Sequence, residues 1–227
     1  MKETWKFVAK ERKGKRHREK NMLIQDKVSC HRSGSKFAMA LTDGVGKTDL
    51  NILASEKIVE WVVDFLLENY KDICMAKEED VTYTIMLHVN QIIHDLVEQY
   101  RVDRNEFAST VLGVCVDTEA KNLLAIHLGD GMIIVQGKGT RILSSCENGV
   151  WSNQTYLTTS HNASEKVRVY KENIQGIDDI ALISDGMYQL PMDDRQLDAI
   201  FCNLDADEEL EEGMDDKAII ALRRKNG

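Results

Sequence analysis

The residues of this 227-residue chain best suited to chemistry are carboxylates that end apolar, strand-like runs and precede a glycine: Phe37-Ala-Met-Ala-Leu-Thr-Asp43-Gly44 and Ile180-Ala-Leu-Ile-Ser-Asp185-Gly186. A third run, Leu123-Leu-Ala-Ile-His-Leu-Gly129-Asp130-Gly131, repeats the device. A buried strand that stops at a carboxylate delivers it to the rim of a core, and the adjacent glycine lets backbone approach a ligand closely. Taken singly, an Asp-Gly pair is a common turn former. Ile24-Gln-Asp26 near the start and Met214-Asp215-Asp216 near the end raise the number of carboxylate positions at expected strand ends to five. Such rims brought together make an oxygen-only site for hard divalent cations.

The elements that must position these groups follow from periodicity. Thr4-Trp-Lys-Phe-Val-Ala-Lys alternates as a strand, a basic loop runs from Glu11 to Lys20, and Met22 to Ile24 and Phe37 to Leu41 are the next expected strands. Apolar residues recur at helical spacing from about Asp49 to Tyr70 and from Glu79 to Tyr100, predicting two helices that pack on a sheet, with Trp61 on the sheet-facing stripe of the first. After Asn105 come short β-rich runs: Ser109 to Val116, Leu123 to Leu128, Met132 to Gln136, Arg141 to Ser144, Tyr156 to Thr159, Lys166 to Tyr170 and Ile180 to Ser184. Short turns between them favour antiparallel pairing. A helix from about Asp194 to Cys202 and a strand from Lys217 to Leu222 close an α+β pattern of layers in one domain, 1–227.

Composition narrows the function classes. The 43% hydrophobic content supports a substantial core, and a net charge of -9 argues against general nucleic-acid binding. Charge is uneven: residues 1–36 hold twelve Lys/Arg against four Asp/Glu, and residues 205–216 hold eight acids and no base. Solvated faces are the expected roles of both segments. Five cysteines without a C-x-x-C pair predict buried structural thiols in a reducing compartment, and no run has membrane-spanning length, so a cytoplasmic protein without a membrane partner is expected. A monomer is the expected state.

In order and spacing, the motifs resemble those of the metal-dependent type 2C protein Ser/Thr phosphatases, over nearly the whole chain. Gly14-Lys-Arg-His17, Asn21 and Gln25-Asp26 resemble the opening motif of a bacterial branch with Gly-x-x-His and Gln-Asp; Thr42-Asp43-Gly44-Val45-Gly46 resembles the central Asp-Gly motif. Ala108-Ser109-Thr110 resembles the small-residue strand entry, Gly129-Asp130-Gly131 the Gly-Asp motif, Asn148 to Thr155 the Asn-x-Thr segment, Ser184-Asp185-Gly186 the Ser-Asp-Gly motif, and Asp215-Asp216 the closing pair.

The resemblance implies a four-layer αββα sandwich of two antiparallel sheets flanked by helix pairs, with two or three Mn²⁺ or Mg²⁺ ions at one end. By the same carry-over Asp43 bridges two ions, the Gly44 carbonyl ligates one, Asp185 and Asp215 hold the first, Asp130 with Asp185 offers a weaker third site, and Asp26 holds waters of the second. Catalysis then falls to Asp26, Asp43 and Asp185. Two cations neutralise phosphate and hydroxide and lower the pKa of a shared water, so a metal-bridging hydroxide attacks a phosphorylated protein substrate in line.

Two departures stand out. The position where the family commonly has a phosphate-gripping arginine is Asn21, leaving Arg16, His17 and Arg18 as candidates, with His17 equally readable as a loop anchor. The histidine many members place after the central Asp-Gly is Val45 here, so protonation of the leaving alcohol is unassigned. A phosphoprotein-binding regulatory module of the same fold is the first alternative, and a phosphohydrolase of small esters the second. His88 and His94 read as helix residues, His31 and His161 lack a metal-ligand spacing, Trp5 and Trp151 are packing or binding candidates, and Ser109 and Thr110 have no nucleophile constellation.

Overall fold

The structure is a computed structural model that describes residues 4–46, 48–146, 155–205 and 209–225. Among them are ten strands: β1 Thr4–Arg12, β2 Lys27–Ser33, β3 Lys36–Thr42, β4 Val111–Asp117, β5 Asn122–Leu128, β6 Met132–Gly137, β7 Thr140–Ser144, β8 Arg168–Asn173, β9 Ile177–Ile183 and β10 Lys217–Lys225. The helices are α1 Lys15–Glu19, α2 Leu50–Glu68, α3 Tyr70–Met75, α4 Glu78–Tyr100, α5 Ala163–Lys166 and α6 Asp194–Asp205. The strands form two five-stranded sheets, ordered β2-β3-β4-β5-β8 and β1-β10-β9-β6-β7, with antiparallel pairing throughout.

Period-two alternation sorts the strand residues into three cores. Phe37, Met39 and Leu41 of β3 point between the sheets, where they meet Ala218, Ile220 and Leu222 of β10. The alternate residues Ala38 and Ala40 face α2, and their small size gives its Ile58, Val62 and Leu66 a close seat. On the far side, Ile219 and Ala221 of β10 meet Leu197, Ile200 and Phe201 of α6. Ile58 is fully buried, so truncating it to alanine costs about 2–5 kcal/mol. The layers are therefore α2/α4, sheet, sheet, α6.

Several local expectations change. Met22 to Ile24 is a connection, and the strand is Lys27–Ser33, whose half-exposed face weakens its apolar signal. The Tyr156 to Thr159 run is a turn, closed by Ser160 N–H donating to the Leu157 carbonyl, and the basic loop contains the short helix α1. Trp61 lies on the seam between α2 and α4, stacked 4.9 Å from His88. Trp5 is a core residue, and Trp151 lies outside the described residues. The five cysteines are free, but only Cys115 is fully buried and Cys202 is exposed.

The two oppositely charged segments meet each other. Arg12 lies 3.4 Å from Glu209, Arg18 3.3 Å from Glu212 and Arg16 3.1 Å from Asp215. Exposed ion pairs contribute no more than about 1 kcal/mol each. Register comes instead from backbone bonds, with Lys15 N–H donating to the Gly213 carbonyl and Arg16 N–H to that of Met214. Gly14 makes this approach possible: a Cβ there would stand 2.2 Å from the Asp215 carbonyl carbon.

Candidate active site

Both sheets deliver carboxylates to one end of the sandwich. Asp26 precedes β2 and Asp43 follows β3 in one sheet; Asp185 follows β9, Asp215 precedes β10 in the other, and Asp130 lies in the β5–β6 crossover between them. Carboxylate oxygens of Asp43, Asp130 and Asp185 lie within 4.8 Å of one another. These three line a cavity of about 860 Å³ together with Asp26, Gly44 and Asp215. Arg16 and His17 line it as well. Arg18 is not among the lining residues; it bonds the Lys13 carbonyl and Glu212.

The Asp43-Gly44 turn is held from below. Thr110 Oγ1 accepts a hydrogen bond from Asp43 N–H at 2.9 Å, Thr110 N–H donates to the Asp43 carbonyl, and Gly44 forms a β-bridge with Ser109. Ser109 and Thr110 therefore serve as a clamp. Asp130 accepts from Thr155 Oγ1 at 2.5 Å, and the Tyr188 hydroxyl donates to its carbonyl oxygen. Apart from Thr155, the Asn148 to Thr155 motif lies outside the described residues.

Electrostatics fit a cation. Burial, then the Asp26 and Asp185 charges, push the Asp43 carboxyl well above its ordinary range. Asp26 is pushed up by burial and further by Asp216 and Asp185, and Asp185 rises to about 6 through burial and the Asp130 and Asp215 charges. Neither oxygen of the 1% exposed Asp26 has a hydrogen-bond partner, nor has Asp130 Oδ1. The Ser184 hydroxyl beside Asp26 donates to the Ala218 carbonyl at 3.4 Å and accepts from the Ala218 N–H at 2.9 Å. Unpaired buried carboxylates are costly, and a divalent ion removes both their repulsion and their lack of partners.

Asp216 was not among the expected site residues. It is 3% exposed and lines the same cavity, accepting from Gly14 N–H on Oδ1 at 2.8 Å and from Gln25 N–H on Oδ2 at 2.7 Å. His17 Nδ1 lies 2.8 Å from the same Oδ2. One carboxylate thus ties the opening segment to the start of β10. In the sequence it stands as the second member of the closing Asp215-Asp216 pair, without a role of its own. Asn21, exposed and in the left-handed region at φ 54°, ends α1, a conformation that asparagine tolerates and most side chains do not.

A family model described as protein phosphatase 2C matches residues 13–217. No curated protein sequence matches. Among solved structures, a Ser/Thr phosphatase of S. agalactiae superposes with TM-score 0.66 at 14% identity, covering 97% of this chain and 99% of that one. RsbX in complex with magnesium gives 0.60 at 12% identity, covering 97% and 96%. The phosphatase domain of SpoIIE from Bacillus subtilis gives 0.56 at 13% identity, covering 99% and 94%. At these identities the superpositions establish the fold: two antiparallel sheets in an α+β sandwich.

Proposed function

The chain belongs to the protein phosphatase 2C family, and from that premise we propose that it releases phosphate from phosphoserine and phosphothreonine side chains of proteins. The observation that carries this reading is the cluster of Asp43, Asp130 and Asp185 on the wall of a cavity that also presents Arg16. These acids, with Asp215 and the Gly44 carbonyl, would hold two or three Mn²⁺ or Mg²⁺ ions. Magnesium bound to the structural neighbour RsbX supports that choice. When bound, the ions supply neutralisation of the phosphate charge and a water acidic enough to act as nucleophile near neutral pH.

The chain's own side chains do the rest. Asp26, with two unpartnered oxygens, orients the attacking water by accepting its hydrogen bonds. Arg16 grips phosphate oxygens with a planar fork of donors, in the role for which Asn21 is unsuited. Thr110 keeps Asp43 aimed at the cavity through the backbone. We read the chain as one domain acting as a monomer in a reducing cytoplasm; no helix among the described residues is long and apolar enough to cross a membrane.

Val45, apolar and 43% exposed at the cavity mouth, favours a second reading, a phosphoprotein-binding module with little turnover. Phosphate release from phosphothreonine peptides, measured with chelator, Mg²⁺ or Mn²⁺, separates the two. Metal-dependent turnover supports the phosphatase. Folded, metal-binding protein without turnover on peptide or aryl phosphate supports the module.

A further inference from the structure

His17 sits on the wall of the acidic cavity with its two ring nitrogens in different surroundings. Nδ1 is 2.8 Å from Asp216 Oδ2. That carboxylate already receives two backbone amides, so it is an acceptor at every bond and Nδ1 carries the hydrogen. Nε2 has no hydrogen-bond partner among the described residues, and the side chain is 15% exposed in a cavity shared with Asp43 and Asp185. A buried carboxylate behind an imidazole fixes its tautomer and the direction in which Nε2 points.

Hydrolysis of an alkyl phosphate needs such a group. A serine or threonine oxygen leaves as an alkoxide far too basic to depart unprotonated at neutral pH, so a proton donor opposite the attacking water lowers the barrier. The cavity offers few. Arg16 does not give up a proton, carboxylates that hold cations have none to give, and the Tyr188 hydroxyl is committed to the Asp130 carbonyl. Val45 has no proton to offer. His17 is the one histidine among the described lining residues.

We propose that His17 is the catalytic acid that protonates the leaving alcohol through Nε2, and that Asp216 is its positioning residue. The proposal rests on the phosphatase reading and adds to it. As water attacks phosphorus, the new P–O bond forms, the water's hydrogens end on the phosphate oxygens, and the P–O bond to the seryl oxygen breaks; its electron pair stays on that oxygen, which takes the Nε2 proton. The products are inorganic phosphate, the free hydroxyl side chain and neutral imidazole, which regains a proton from solvent. Asp216 holds the ring by its Nδ1 hydrogen.

The test is His17→Asn, in which the amide nitrogen stands where Nδ1 stood, preserving the bond to Asp216 while deleting Nε2. With Mn²⁺ present, kcat on a phosphoserine peptide is expected to fall on the order of 100-fold or more, the usual scale of general acid catalysis. On 4-nitrophenyl phosphate, whose phenolate leaves without a proton, the fall is expected to stay below about tenfold. An active parent whose variant loses both activities equally, or keeps both, overturns the proposal and leaves His17 as a loop anchor. An inactive parent overturns the phosphatase reading and this proposal with it. Should the variant fail to fold, the parent decides: its rates across phosphate esters are expected to depend weakly on leaving-group acidity, and a steep dependence overturns the proposal.

Discussion

The Arg16 guanidinium lies 3.1 Å from the Asp215 carboxylate, so the cation best placed to hold substrate phosphate is paired with a proposed metal ligand. Cation binding and phosphate binding therefore draw on the same side chains.

Arg16→Ala separates these demands. Removing a positive charge from beside Asp215 should tighten Mn²⁺ binding a few-fold, while the phosphopeptide KM rises about tenfold through loss of a charge-assisted contact. Metal titration and steady-state kinetics on the same variant check both signs; a KM within twofold of the parent contradicts the phosphate role.

Without metal the protein should lose stability as pH rises. Asp185, with an ordinary value of 3.8, is raised to about 6, and Asp26 and Asp43 are raised too. Between those values the folded chain holds protons that the unfolded chain has released. The stabilisation is full below about pH 4 and is lost as pH climbs through 6 and above. For Asp185 alone the effect is about 3 kcal/mol. Melting in chelator from pH 4 to 8 should show a falling Tm, and Mn²⁺ should reverse the trend at neutral pH. A Tm that rises over that interval in chelator contradicts the charge crowding.

Gly14→Ala should cost more than about 2 kcal/mol, because its Cβ would meet the Asp215 backbone, which has no free rotamer with which to yield. Denaturant unfolding measures it. A change below about 0.5 kcal/mol would mean that the opening segment shifts freely on the 213–216 segment.

Val45→His should leave turnover at or above the parent level, since the side chain is 43% exposed and only its backbone N–H is committed, to the Ala108 carbonyl. A large loss of activity in folded protein would show that the residue packs.

Much of this architecture is legible in the chain. Phe37 to Leu41 and Ile180 to Ile183 are short unbroken apolar runs closed by Asp-Gly, so a buried strand ending at Asp43 or Asp185 is the direct reading, and the structure gathers the ends of both strands at one rim. The 3.6-residue stripe from Ile52 to Leu67 likewise marks α2. The β2 strand is less legible, because its ladder to β3 is held by backbone bonds while its side chains are half-exposed or exposed. The bond from His17 to Asp216 spans 199 residues, and no local pattern encodes it. The same holds for Tyr156 to Thr159, where the Ser109 backbone takes up the Thr158 N–H and a turn replaces the expected strand.

The most direct measurement of the central claim is metal-dependent phosphate release from a phosphothreonine peptide by the parent protein and by Asp43→Asn, with melting curves of both. The account predicts turnover by the parent with Mn²⁺ or Mg²⁺, at least a tenfold loss in the variant, about 1.4 kcal/mol or more in activation free energy, and a metal-free Tm no lower than the parent's because one crowded carboxylate is gone. Turnover by the variant above about a tenth of the parent rate would contradict it.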